Sequence, residues 1–222
     1  MSGLFQLFDI IPDIHGQADK LDSLISSLGW RRKPSGWANP EPNRQIFFLG
    51  DFIDRGPENA RVLSTVRSLI DDGKAEAVMG NHELNAIHFH TSDPDTGKAL
   101  RIRNAKNCRQ HRTFLEEFPV GHAATTEAIA WMRTLPLYFE NDAFRAVHAC
   151  WHEPTIDGLC SVSDGGVLDE EQVIRAANEN DPLYDLVEVT TKGPETPLPK
   201  GHSFKDKDGN DRSEVRVKWR NS

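Results

Sequence analysis

Eight side chains in this sequence could do metal and phosphate chemistry together: Asp13, His15, Asp51, Asp54, Arg55, Asn81, His82 and His148. Carboxylates, imidazoles and amide oxygens are ligands for hard and borderline divalent metals, so Asp13, His15, Asp51, Asn81 and His148 are a chemically coherent donor set. The guanidinium of Arg55 offers a planar fork for phosphate oxygens. Taken singly, each has an ordinary alternative. Asp13 and His15 fit a capped turn with a surface imidazole, and Asp51 and Asp54 fit turn carboxylates. Asn81 fits a helix N-cap, and His148 fits a core histidine with a satisfied hydrogen bond. The clusters have to be weighed together, through the elements that position them.

Those elements alternate. Phe5–Ile11 is a short apolar run that stops at Pro12, as a buried strand does. Ala18, Leu21, Leu24, Ile25 and Leu28 recur at helical spacing, and Gly29 closes the segment. Gln45–Leu49 predicts a second buried strand. Pro57 suits the first residue of a second helix, with Val62, Leu63, Val66, Leu69 and Ile70 on its apolar face. Ala75–Met79 predicts a third strand. This β-α-β-α-β order predicts a single-domain layered α/β fold, a sheet core flanked by helices. Each polar cluster directly follows a strand, and ligand sites of open α/β sheets gather beyond the carboxyl ends of strands.

The second half is less regular. It predicts a helix over Thr125–Leu135, strands over Leu137–Glu140 and Ala143–Ala149 joined at Asn141-Asp142, and a helix near Glu170–Ala177. Gly193–Gly209 reads as a loop and Ser213–Trp219 as an edge strand. The basic run Arg101–Arg112 reads as a solvated helix face rather than a phosphate funnel. His88, His90, His111, His122 and His152 have no spacing argument in their favour. Cys150 would share a strand face with His148, although a buried structural thiol is the simpler reading. Trp131 and Trp151 read as packing residues.

Asp13-Ile14-His15-Gly16, Gly50-Asp51-Phe52-Ile53-Asp54-Arg55-Gly56 and Gly80-Asn81-His82-Glu83 resemble the three sequential motifs of calcineurin-like metallophosphoesterases. Asp54-Arg55-Gly56 and the Glu after His82 are similar to the phosphoprotein phosphatase branch, which includes symmetrical diadenosine tetraphosphatases. Val147-His148-Ala149 is similar to the family's fourth motif. The resemblance spans roughly residues 5 to 150. It implies a two-metal site, with Asp13 and His15 on the first ion, Asp51 bridging, and Asn81 and His148 on the second. It further implies in-line attack of a metal-bound hydroxide on phosphorus. In that scheme His82 is the general acid, Asp54 orients it, and Arg55 binds phosphate. Gly16, Gly50, Gly56 and Gly80 suit sharp backbone turns beside the metals. Manganese is the first expectation for the ions, with iron or zinc as alternatives. The implied substrate is a phosphoprotein, a dinucleoside polyphosphate or a smaller phosphoester.

One family ligand is missing from its usual place. A Gly-His pair normally follows a late apolar strand, whereas Gly201-His202 follows Pro197-Leu198-Pro199-Lys200, which predicts no strand. The expectation is therefore a second metal site short of one histidine, with the chain truncated relative to its relatives. A catalytically weakened phosphate- or protein-binding relative is the rival reading.

Whole-chain properties bound the rest. A chain of 222 residues with 37% hydrophobic content predicts one compact domain, a core over 1–160 and a C-terminal extension over 161–222. Three cysteines without a CxxC spacing, and an N-terminus without a signal pattern, suit a reducing cytoplasm. No apolar run is long enough to span a bilayer. A net charge of -8 disfavours nucleic-acid polymers and anionic membranes as partners, but not a phosphate drawn in by metal ions.

Overall fold

The computed structural model describes residues 6–205, 209 and 211–217. Its first half is strand β1 (Leu7–Ile11), helix α1 (Ala18–Ser27), a hairpin of β2 (Arg31–Lys33) and β3 (Gly36–Ala38), then β4 (Arg44–Phe48), α2 (Asn59–Asp71), β5 (Ala75–Ala77) and α3 (Asn81–His90). Three of these strands form a parallel sheet in the order β1-β4-β5, with Ile11 paired to Phe48 and Phe48 to Ala77. Parallel strands need helical crossovers, and α1 and α2 supply them. The three polar clusters consequently leave the sheet at one edge.

The chain continues through α4 (Ala105–Gln110), α5 (Arg112–Glu117), α6 (Ala123–Met132), the antiparallel pair β6 (Tyr138–Glu140) and β7 (Arg145–Val147), α7 (Glu153–Val162), α8 (Glu170–Arg175) and α9 (Pro182–Lys192). Short strands β8 (Glu195–Pro197), β9 (Phe204–Lys205), β10 (Asp211–Arg212) and β11 (Glu214–Arg216) follow, β8 pairing with β11 and β9 with β10. Buried apolar residues from Ile11 through Phe48, Val66, Met132 and Leu159 to Val187 form one cluster. The fold is mixed α/β, a parallel sheet flanked by helices. No described helix is long and apolar enough to cross a membrane.

Several expectations need correction. Phe5, at the start of the first predicted strand, and Lys218 and Trp219, at the end of the last, lie outside the described residues. β1 is half-buried rather than buried: Leu7 and Ile10 face out, while Asp9 turns in to accept from Trp30 Nε1 at 3.0 Å and from Arg44 at 2.8 and 2.7 Å. Leu24 is exposed, so the inner face of α1 is Ala18, Leu21 and Ile25. Pro57 precedes α2 instead of opening it, because Asn59 begins the helix with its N–H capped by Glu117 Oε1 at 2.6 Å. Gly193–Gly209 is not all loop, since β8 lies in it and partners β11. α9 was not anticipated, although its signals are present: Asp181 caps Leu183 N–H at 2.9 Å and Pro182 opens the helix.

Candidate metal centre

Asp51 is the hub. It follows β4, is almost fully buried, and its Oδ1 accepts the backbone N–H of His82 at 3.0 Å. Around its Oδ2 stand three imidazole Nε2 atoms, His148 at 3.6 Å, His15 at 3.7 Å and His82 at 4.0 Å. Asp13 Oδ2 lies 3.6 Å from His15 Nε2. Asp13, Asp51 and His148 form one group of ligand atoms lying within 4.8 Å of one another, and His15, Asp51 and His82 form another. Asn81 opens α3 immediately before His82, and Gly80 takes the N-cap position that was the ordinary alternative for Asn81.

What lies behind each imidazole sorts the three histidines. His15 Nδ1 faces the Ile53 carbonyl at 3.0 Å, and His148 Nδ1 faces the Leu49 carbonyl at 2.6 Å. A carbonyl accepts only, so each Nδ1 must carry the proton, leaving the Nε2 lone pair pointing at Asp51. Fixing a ligand's tautomer from behind is how metal-binding histidines are oriented. His15 Nε2 is buried and has no hydrogen-bond partner, an orphan that a cation would satisfy. The donor set thus fits divalent metal on its geometry. His82 is backed differently, by the Asp54 carboxylate, with Nδ1 to Oδ2 at 2.7 Å. Burial disfavours the His82 imidazolium, but the Asp54 hydrogen bond and the charge of Asp51 outweigh it and raise the group above the ordinary histidine value.

The backbone beneath these residues is strained. His15, Asp51, Asp54 and Arg55 adopt φ of 48°, 55°, 69° and 67°, the non-glycine residues at positive φ among those described. Each such residue costs on the order of 1–3 kcal/mol, and persists only where its surroundings over-determine it. Here the loops hold one another: Ile14 and His15 N–H donate to the Asp51 carbonyl at 3.0 and 2.9 Å, and Gly16 N–H to the Phe52 carbonyl at 2.7 Å. Gly56 and Gly80 serve another purpose than the expected sharp turn, since neither has positive φ. A Cβ on Gly80 would sit 2.3 Å from Asp51 Oδ1, and one on Gly56 at 2.3 Å from the His15 carbonyl.

The sequence motifs include Glu83 without a role, and leave out His111 and Glu117. Glu83 is fully buried and binds the loops from below, its Oε2 accepting from Asp51 N–H at 2.8 Å and Gly80 N–H at 3.1 Å, and its Oε1 from Phe52 N–H at 2.8 Å. His111, set aside for want of a spacing argument, donates from Nδ1 to the other oxygen of Asp54 at 2.8 Å. His90 Nε2 lies 3.3 Å from His111 Nε2. Burial, then the neighbouring His111, pushes His90 down to about 4, so it stays neutral. Glu117 caps the start of α2 through Asn59, whose Oδ1 in turn takes the Asp54 N–H at 2.7 Å. Only tertiary packing unites His111 and Glu117 with the motifs, whereas Glu83 belongs to the third motif itself.

His202 is exposed, in a turn closed by its own N–H to the Pro199 carbonyl at 2.9 Å, and it belongs to neither group of ligand atoms. Cys150 is buried and its thiol is pushed up by burial; β7 ends at Val147, so no shared strand face joins it to His148. Arg55 is exposed, with Nη2 3.5 Å from His82 Nε2. Beyond Arg55, Asn81 and His82 opens a cleft of about 890 Å³. Arg101, Lys106, Arg109 and Arg112 line it, so the basic run is a wall of this cleft and not a detached solvated face.

The strand ends of a parallel α/β sheet bring Asp13, His15, Asp51 and His82 together, with His148 alongside. Residues 7–187 match the family model "Calcineurin-like phosphoesterase", and the chain belongs to that family. A bis(5'-nucleosyl)-tetraphosphatase PrpE [asymmetrical] of Halalkalibacterium halodurans is 40% identical over 155 residues, covering 67% of this chain and 59% of the relative. A bis(5'-nucleosyl)-tetraphosphatase, symmetrical, of Psychromonas ingrahamii is 27% identical over 141 residues, covering 62% of this chain and 41% of the relative. The chain thus spans less than two thirds of the length of these curated relatives. The crystal structure of a putative diadenosine tetraphosphatase superposes with a TM-score of 0.43 at 17% identity, covering 79% of this chain and 60% of that one.

Proposed function

We propose that the protein is a metal-dependent phosphoester hydrolase in which Asp13, His15, Asp51, Asn81 and His148 hold two divalent ions, manganese being the first to test. The observation behind this reading is the convergence of the His15 and His148 Nε2 atoms on Asp51 Oδ2, each ring locked from behind by a backbone carbonyl. Ions bound there would polarise phosphoryl oxygens and supply a nucleophile from water. The chain's own residues do the rest. Arg55 binds the phosphate oxygens through its guanidinium fork. His82, protonated at Nε2, gives that proton to the leaving oxygen, and Asp54 accepts from Nδ1 to hold the ring and favour its charged form. His111 pins the second oxygen of Asp54, so the carboxylate cannot swing away.

Dinucleoside polyphosphates, the substrates named for the curated relatives, are the first class to try, ahead of phosphoproteins. A binding protein descended from an enzyme is the weaker reading, because His82 and Asp54 keep a proton-transfer geometry that binding does not need. The test is p-nitrophenyl phosphate turnover. Chelation should abolish it and manganese restore it; turnover indifferent to chelation refutes the proposal.

A further inference from the structure

Arg101 lines the cleft next to the candidate active site, and its surroundings are unusual for a guanidinium. It is half-buried, and its hydrogen bonds go to three neutral amides: Nη1 to Asn85 Oδ1, and Nη2 to Asn107 Oδ1 at 3.2 Å and Gln110 Oε1 at 3.3 Å. Among the described residues no carboxylate pairs with it. Glu188, the nearest in charge effect, is held by Lys192 Nζ at 2.5 and 2.6 Å. Burial works against the charged guanidinium and lowers its pKa. An arginine serving only to brace α3 against α4 would be cheaper with a carboxylate beside it, since a buried charge is costly unless compensated.

The amides aim the group and leave it charged. Three bonds occupy part of a five-donor fork, so Nε–H and one Nη1 hydrogen remain for a ligand. The position is informative too. Asn85, which anchors Arg101, stands one turn along α3 from Asn81, about 6 Å of helix axis. Arg55 and Arg101 therefore offer two separate guanidinium forks along one cleft, with His82 beside the first.

We propose that Arg101 is a second anion-binding residue, which takes a further phosphoryl group of the substrate next to the one hydrolysed at the metal centre. This rests on the phosphoester hydrolase reading and narrows it: preferred substrates have two or more phosphoryl groups in sequence, and simple monophosphates use only Arg55 and the metals.

The test compares inhibition of p-nitrophenyl phosphate turnover by methylphosphonate, with one anionic group, and methylenebisphosphonate, with two, at constant free manganese. Arg101→Gln should weaken methylenebisphosphonate roughly tenfold, the scale of one charge-assisted hydrogen bond, and methylphosphonate less than about twofold. Equal weakening of both inhibitors, or of neither, overturns the proposal. Arg101→Lys keeps the charge and loses the two-handed brace, so it should retain most of the discrimination. If it loses as much as Arg101→Gln, the effect belongs to the brace and the proposal falls. Should the parent turn over no p-nitrophenyl phosphate, the hydrolase reading fails by itself. Calorimetric titration of both inhibitors into the manganese-loaded protein then decides on Arg101 by the same ratio.

Discussion

Replacing Glu83 by Gln removes one charge and no volume, and the structure fixes what that should cost. The two carboxylate oxygens accept three backbone N–H groups, from Asp51, Phe52 and Gly80. A glutamine has one acceptor oxygen. Placed to keep Asp51 and Gly80, it points its NH₂ at the Phe52 N–H, donor against donor. Leaving that N–H unsatisfied in a fully buried place costs about 1–3 kcal/mol, and turning two charge-assisted bonds into neutral ones costs about 1 kcal/mol each. Relief of the buried charge beside Asp51 offsets part of this, so a net loss of roughly 2–4 kcal/mol is expected. For 222 residues the unfolding entropy is about 0.47 kcal/mol/K, so Tm should fall by roughly 4–9 °C. Calorimetry in excess chelator isolates this from metal binding. With metal, the variant should additionally bind manganese more weakly, because Glu83 positions the backbone of Asp51. A chelated Tm within about 1 °C of the parent would refute the account of Glu83 as the clamp of the two loops.

Further outcomes separate roles within the site. Asp51→Asn should lose metal and activity together, whereas Asp54→Asn should retain metal, by direct metal analysis, and lower kcat on the order of 10²–10⁴-fold. His82 is raised above the ordinary 6.5, so its acid form is complete below that pH and lost as pH rises through the higher folded value. The kcat profile should accordingly fall on the alkaline side, and Asp54→Asn should move that limb to lower pH. His202→Ala should leave manganese stoichiometry and turnover as in the parent; loss of both in a folded variant would make His202 a ligand after all.

The sequence displayed the site in proportion to how locally it is built. Asp13, His15, Asp51, Asp54, Arg55 and His82 each sit within a few residues of a strand end, where a period of apolar residues breaks into Gly and Asp, and in the structure they lie within about 4 Å of one another in a chain of contacts. His111 and Glu117 reach the same loops from beyond residue 104, through helices of six residues whose side chains show no period long enough to place them. Strands of two or three residues, such as β8 and β9, leave no alternation to read. Asp9 shows the opposite failure. It is a polar residue inside a run read as apolar, and it is buried because Arg44 and Trp30 meet it from elsewhere in the fold.

The left-handed backbone at Arg55 sets heat tolerance against chemistry at one residue. Glycine adopts φ near 67° without steric cost, and asparagine nearly so. Selection for thermal survival alone should therefore drift toward Gly or Asn at position 55, gaining a fraction of the strain energy on the order of 1–2 kcal/mol and discarding the guanidinium beside His82. Any lineage that keeps arginine there is trading thermal margin for a guanidinium beside His82, and backbone strain is accepted likewise at Asp51, Asp54 and His15.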